Sequence, residues 1–302
     1  MQVIHGWNPL AGLAAILSGK LIHRPVVVDL TDFYSDIAQT DSPWTSPVFR
    51  RIESYIITSA TKLIVVSDVM KEFIMHTYGV SADKLYIISD GTDPERFNPR
   101  VDGKKIRSVY NLGSSPVLIC HGDVKFPDGV DVLLKAFAIL NKKRPDVKLI
   151  ILGGGSKYFD DLKKKFKSLE PSVLFVGWVQ HNEVPEYIAA ADIGVIPIRS
   201  TLNHNCYVSF KLFEYWGVGK PVIASRVDAI SNIIKDGTNG ILVEPGSVNS
   251  LVAGLLFAID NLDKTKNMGK NGRKLVEEKY NWQYLMEEEA KLYGDLLSRG
   301  KN

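Results

Sequence analysis

Lys211 and Glu214 stand three positions apart in FKLFEYWGVGKPVIAS, residues 210–225, directly before an apolar run. On a helix that spacing puts both side chains on one face. The free N–H groups of a first helical turn favour an anion such as a diphosphate. Lys211 adds a point charge there, and Glu214 offers two oxygens to vicinal hydroxyls such as those of a ribose. The plainer reading is that Ser209 caps the helix, Glu214 sits near its positive end and Lys211 is exposed. Residue chemistry leaves both readings open.

Other reactive types are sparse. The two cysteines, Cys120 and Cys206, form no disulfide framework and lack zinc-site spacing. His121, His181 and His204 are scattered, without metal-ligand spacing. His121, next to Gly122, faces the expected ligand end of a sheet, although a core or loop histidine is the commoner case. The glycine run Gly153-Gly154-Gly155 gives backbone room. A net charge of +3 over 302 residues is too mild for a nucleic-acid partner. The basic run Lys163-Lys164-Lys165-Phe166-Lys167 fits a solvated helix face with Leu162, Phe166 and Leu169 inward. Peripheral contact with anionic lipid is its alternative. Few cysteines, no apolar run of membrane-spanning length and no signal-peptide pattern lead to a cytoplasmic expectation.

These side chains need elements to position them. Apolar runs recur at 25–30, 62–67, 84–89, 116–122, 147–155, 172–177, 192–198, 220–225 and 239–245. They are rich in Val, Ile and Leu and do not alternate with polar residues, as strands buried on both faces read. Amphipathic helices lie between; Val130, Leu133, Leu134 and Phe137 follow i, i+3, i+4, i+7. Ser46-Pro47 reads as an N-cap with Pro at the first helical position, and Gly79 as a helix stop. The class is α/β with parallel sheets. A Pro-, Gly- and charge-rich break at 90–105 reads as a linker between two doubly wound domains, with ligands in the cleft between them. The expected domains are 1–104 and 105–282, with 283–302 packing back on the first. The start, MQVIHGWNP, enters a strand at once. Either the first domain is small or its beginning is missing; a truncated sheet would expose an edge or an apolar face.

KLFEYWGVGKPVIA closely resembles the segment that retaining GT-B glycosyltransferases of the family 4 type carry around their nucleotide-binding glutamate. IISDGTDPERFNP (87–99), FVGWVQHNEVPEYIAAADIGVIP (175–197), DGTNGILVEPGSVNSL (236–251) and YNWQYLMEEEAKLYGDLL (280–297) are similar to further family segments, in the family's order. The likeness runs over nearly the whole chain. Three departures stand out. Many members carry a second glutamate eight positions before the first, where this chain has Cys206. Many carry an Arg and a Lys in the phosphate loop, where this chain has Asp123 and Asp128, with Lys125 in the same loop as a substitute. The family's glycine-rich loop after its first strand has no counterpart, in line with a first domain lacking its start.

The resemblance implies a GT-B fold of two Rossmann-like domains and a hexosyltransferase-type enzyme. It implies transfer of a sugar from a nucleotide-diphosphate donor to a glycan, lipid or small-molecule acceptor, with retention and without a metal or cofactor. The catalytic residues stay unassigned. Donor contacts fall to Glu214 for the ribose and to Lys211 and Lys125 for the phosphates. Gly122, Ser209, Phe210 and Cys206 line the donor site, and Gly177 and Trp178 meet the base. Asp29 and Asp32 lie on the acceptor side, each with a loop cap as its plain alternative. Ser67 reads as an N-cap. The rival functions are a non-catalytic nucleotide-sugar-binding partner subunit and a GT-B-fold sugar-nucleotide epimerase. A chain without its first strands is expected to bind nucleotide but to transfer sugar poorly.

Overall fold

The computed structural model describes residues 3–299. Packing divides the chain into two compact units. The first comprises residues up to Asp90, Thr201–Val208 and those from Trp282 on; the second comprises Gly91–Ser200 and Ser209–Asn281.

In the first unit, strands β1 (Ile4–Trp7), β2 (Val26–Leu30), β3 (Lys62–Val65) and β4 (Leu85–Ile87) form a sheet in that order, all parallel. Successive side chains of a strand point to opposite faces. Val26, Val28 and Leu30 therefore pack with Ile16, Ile56 and Ile57, whereas Val27 and Ile64 pack with Leu292 and Leu296. Those two leucines sit one turn apart on the helix Trp282–Arg299, which covers the second face. Each such side chain, fully buried, contributes about 1.5–3 kcal/mol. Among the described residues β1 pairs only with β2, so it is an edge strand. Leu10, Leu17 and Leu21 on the following helix, Asn8–Ile22, are exposed.

The second unit holds β5 (Val117–His121), β6 (Lys148–Leu152), β7 (Val173–Gly177), β8 (Ile193–Ile196), β9 (Val222–Ser225) and β10 (Ile241–Val243). They form a parallel sheet in the order β10-β9-β8-β5-β6-β7. This is a doubly wound order whose direction reverses between β5 and β8, the point outside which such sheets bind ligands.

The structure redraws the expected division at two places. Residues 91–104 pack in the second unit rather than ending the first. Phe97 is 1% exposed, and a Cβ on Gly217 would come within 2.8 Å of the Phe97 Cβ. Arg273 Nη1 donates to the carbonyls of Pro94, Phe97 and Gly217 at 3.2, 2.7 and 2.7 Å. The stretch that reads as a linker is thus a fastened strap. Residues 201–208 leave the second unit for the first. Asn203 Oδ1 accepts from the Phe33 amide at 2.9 Å, and Ser67 Oγ donates to the Cys206 carbonyl.

Local signals divide in the same way. Ser67 caps its helix by accepting from the Met70 amide, and Gly79 ends it with φ of 65°. Ser46 does not cap: the helix Ser46–Ser59 has Thr45 at that position, and Ser46 Oγ donates to the Ser35 carbonyl instead. Ser209 precedes the helix Phe210–Gly217 without a side-chain capping bond.

Candidate functional site

β5 ends at His121, and its neighbours at the carboxyl end of the sheet are β6 and β8. The chain turns through Gly122 at φ of 104°, where a Cβ would meet Lys211 Cε at 2.5 Å. Gly153, at φ of 119°, passes so close that a Cβ would lie 2.0 Å from the Gly122 carbonyl oxygen. Only glycine serves at these two positions. The result is a cavity of about 250 Å³ lined by His121, Gly122, Gly153, Trp178, His181, Phe210, Lys211 and Glu214. The first unit holds a larger, open groove of about 800 Å³ with Arg50 and Arg51 on its wall. The smaller cavity is the better candidate, because acid, base and cation converge there at a switch point.

Glu214 is its centre. His181 Nε2 lies 3.2 Å from Glu214 Oε1, and His121 Nε2 lies 3.2 Å from Oε2. The first contact is a hydrogen bond. In the second the angle is poor, and His121 Nε2 is buried without a hydrogen-bond partner. Burial raises the Glu214 carboxyl above its usual range, with His181, Lys211 and Arg96 opposing. Burial, with help from Lys211 and His181, pushes His121 down to about 3, so its imidazole is neutral at physiological pH. Beyond His181 the chain of contacts continues: Arg96 Nη1 lies 2.8 Å from His181 Nδ1.

Of the residues expected from sequence, Glu214, Lys211, Gly122, Phe210 and Trp178 line this cavity. Gly177 ends β7 at φ of 84°, beside Trp178, which is largely exposed. Ser209 is buried at the start of the helix. Lys125 is exposed and does not line the cavity; its amide donates to Asp128 Oδ2 at 2.8 Å. Asp123 is exposed, and Asp128 Oδ1 lies 3.7 Å from Lys211 Nζ. The loop's two carboxylates therefore do not act alike: one faces solvent and one offsets Lys211.

Cys206 is the residue the fold moves. It belongs with the first unit and packs in that unit's core with residues such as Val28, Val65 and Met70. Cys206→Ser places a hydroxyl in that core and is expected to cost about 1–3 kcal/mol of stability. Nucleotide binding should be unchanged, with urea unfolding and calorimetry as the two readouts. Lost nucleotide binding by a folded Cys206→Ser chain would return Cys206 to the donor site.

On the acceptor-side residues the first unit gives two different pictures. Asp32 accepts from Thr31 Oγ1 at 3.2 Å and from Asn203 Nδ2 at 2.9 Å, a loop-organising role. Asp29 Oδ1 is buried with no hydrogen bond. Burial, with Glu289 adding to it, raises Asp29 to about 7. Asp90 is raised to about 7 by burial and by the charges of Asp29 and Asp32. Asp90, Arg96 and His181 join this chemistry without a local sequence signal; His121 has one, its place beside Gly122 at a strand end. Among the described residues no cluster of His, Cys, Asp and Glu has the arrangement of a metal site. No described helix is long and apolar enough to cross a membrane.

A parallel sheet in each unit, and an acid–lysine pair at the switch point of the second, define the class. The family model "Glycosyltransferase Family 4" matches residues 1–96, and "Glycosyl transferases group 1" matches residues 115–261. Together they place the chain among the GT-B glycosyltransferases. It is 26% identical over 288 residues to the sulfoquinovosyl transferase SQD2 of Arabidopsis thaliana, covering 93% of this chain and 54% of that protein. It is 28% identical over 279 residues to a D-inositol 3-phosphate glycosyltransferase of Corynebacterium kroppenstedtii, covering 88% and 60%. The chain thus spans little more than half the length of these relatives. Among solved structures it is similar to Anabaena HepE in complex with UDP, with a TM-score of 0.83, 19% identity and coverage of 97% and 79%. A sucrose-phosphate synthase from Thermosynechococcus elongatus gives a TM-score of 0.84, 22% identity and coverage of 98% and 74%. These structures share the GT-B fold with the chain.

Proposed function

We propose that the second unit binds the nucleoside diphosphate of a nucleotide-sugar and that the chain belongs to a glycosyltransferase acting with retention of configuration. The observation that carries this reading is the placement of Glu214 and Lys211 in one cavity at the switch point of a doubly wound sheet. Glu214 accepts the ribose hydroxyls. Lys211 and the first turn of the helix Phe210–Gly217 take up charge as the diphosphate leaves. The acceptor hydroxyl attacks the anomeric carbon from the face the diphosphate leaves, and its proton passes to the departing phosphate oxygen. No step draws on a metal or cofactor. The acceptor, a glycan, lipid or small molecule, meets the first unit near Asp29. The setting is cytoplasmic, with any membrane contact peripheral.

Asp128 favours a second reading. Its carboxylate, 3.7 Å from Lys211, offsets the cation a leaving diphosphate needs. A partner subunit that binds nucleotide-sugar without turnover would tolerate that pairing. The test is thermal stabilisation by uridine, guanosine and adenosine diphosphates and their sugars, followed by turnover with the sugar that stabilises most. Ligand at about one hundred times its dissociation constant stabilises by about 2.7 kcal/mol. No stabilisation by any of them would overturn nucleotide binding; stabilisation without turnover would favour the second reading.

A further inference from the structure

Glu214 has two imidazole neighbours at the same distance, 3.2 Å, yet they are unlike. The His121 side chain is 7% exposed and closes the inner side of the carboxylate; the His181 side chain is 61% exposed and covers its outer side. An arginine only donates, so His181 Nδ1 accepts from Arg96 and the imidazole proton sits on Nε2. Nε2–H then donates to Glu214 Oε1. His121 is neutral, and its Nε2 rests beside Oε2 in poor alignment, buried and unpartnered. The inner oxygen of Glu214 thus has an imidazole nitrogen within reach that forms no hydrogen bond in the ligand-free chain.

We propose that His181 is a displaceable stand-in for a ligand hydroxyl on Glu214, and that His121 is the positioning residue that holds the carboxylate once the ligand has replaced it. This rests on the nucleotide-binding reading and adds two side chains to it. In the ligand-free chain His181 satisfies a buried carboxylate that would otherwise lack a donor. A diol entering the cavity exchanges one hydrogen bond for others, and the exposed imidazole moves toward solvent. Phe97, whose ring lies 5.7 Å from that of His181, and Arg96 set how readily it moves.

Equal distances thus lead to opposite effects. The probe is whichever of uridine, guanosine or adenosine diphosphate binds tightest, together with its 2′,3′-dideoxy form, measured by calorimetry. His181→Ala removes the competitor and is expected to tighten binding of the diphosphate about three- to tenfold. It should leave the dideoxy form unchanged, because that ligand does not compete for Glu214. His121→Phe keeps the packing against Tyr215, 4.9 Å away between ring centres, but loses the donor. It should weaken the diphosphate about tenfold and spare the dideoxy form. His121→Gln, which keeps a donor, should restore most of that loss and guards against a folding defect in the phenylalanine variant. Weaker binding by His181→Ala, or equal effects on the two ligands, would overturn the inference while leaving nucleotide binding intact. Failure of every nucleoside diphosphate to bind would overturn the functional reading and this inference with it.

Discussion

Glu214→Ala is expected to weaken nucleoside-diphosphate binding by about 1–3 kcal/mol, the cost of leaving polar partners unsatisfied. Among the described residues its carboxylate is the one acidic group lining the cavity, and it sits between two imidazoles that accept or donate but carry no fixed negative charge. Alanine removes the acceptor for both ribose hydroxyls and strands His121 beside an empty volume. The loss should vanish for inorganic pyrophosphate, which has no hydroxyls and depends on Lys211. Calorimetry with both ligands, on protein whose near-ultraviolet circular dichroism matches the parent, checks this. Unchanged affinity for the nucleotide in folded Glu214→Ala protein would remove the central residue of the site.

The second large effect lies in the first unit and concerns stability. Asp29 is raised to about 7 by burial and by Glu289, and Asp90 to about 7 by burial, Asp29 and Asp32. The unfolded chain releases these protons near pH 4, the folded chain near pH 7. Between those limits the folded state binds more protons, so stability falls as pH rises from about 4 to about 7. Above that window the penalty is complete. Asp29→Asn removes it and relieves Asp90, and is expected to stabilise the protein at about pH 8 by on the order of 2–4 kcal/mol. Near pH 4 the variant and parent should agree. Urea unfolding at the two pH values decides it; an Asp29→Asn chain no more stable than the parent at the higher pH would show that Asp29 is ionised at little cost.

The strands were legible because their residues are buried on both faces. Val26, Val27 and Val28 turn alternately toward the two sides of one sheet and are all buried, so the run carries no alternation. Lys211 and Glu214 were legible because one helix turn carries both. His121 was legible in part, from its place beside Gly122 at a strand end; His181 was not, since nothing local marks its convergence with His121 on Glu214. The strap at 91–104 misled for a related reason. Its prolines and glycines are those of a linker, whereas Phe97 in its middle is sealed against Gly217 and held by an arginine 176 residues away. Cys206 was read by its distance in sequence from Glu214, but the segment that carries it crosses to the other unit, where a small apolar thiol fits the core.

The helix Trp282–Arg299 has a bearing on how the protein is made. Leu292 and Leu296 cover Val27 and Ile64, yet roughly 200 residues separate β4 from that helix. At a synthesis rate of about 5–20 residues per second, the ribosome delivers the cover about 10–40 s after the sheet it protects. Throughout that interval one face of the nascent sheet presents valine and isoleucine to its surroundings. The second unit finishes emerging before the first is closed, which reverses the usual order of N-terminal folding. A nascent-chain chaperone that shields short β-branched stretches would have its longest engagement with residues 26–30 and 62–65, and released chains shortened by this helix should be recovered bound to it.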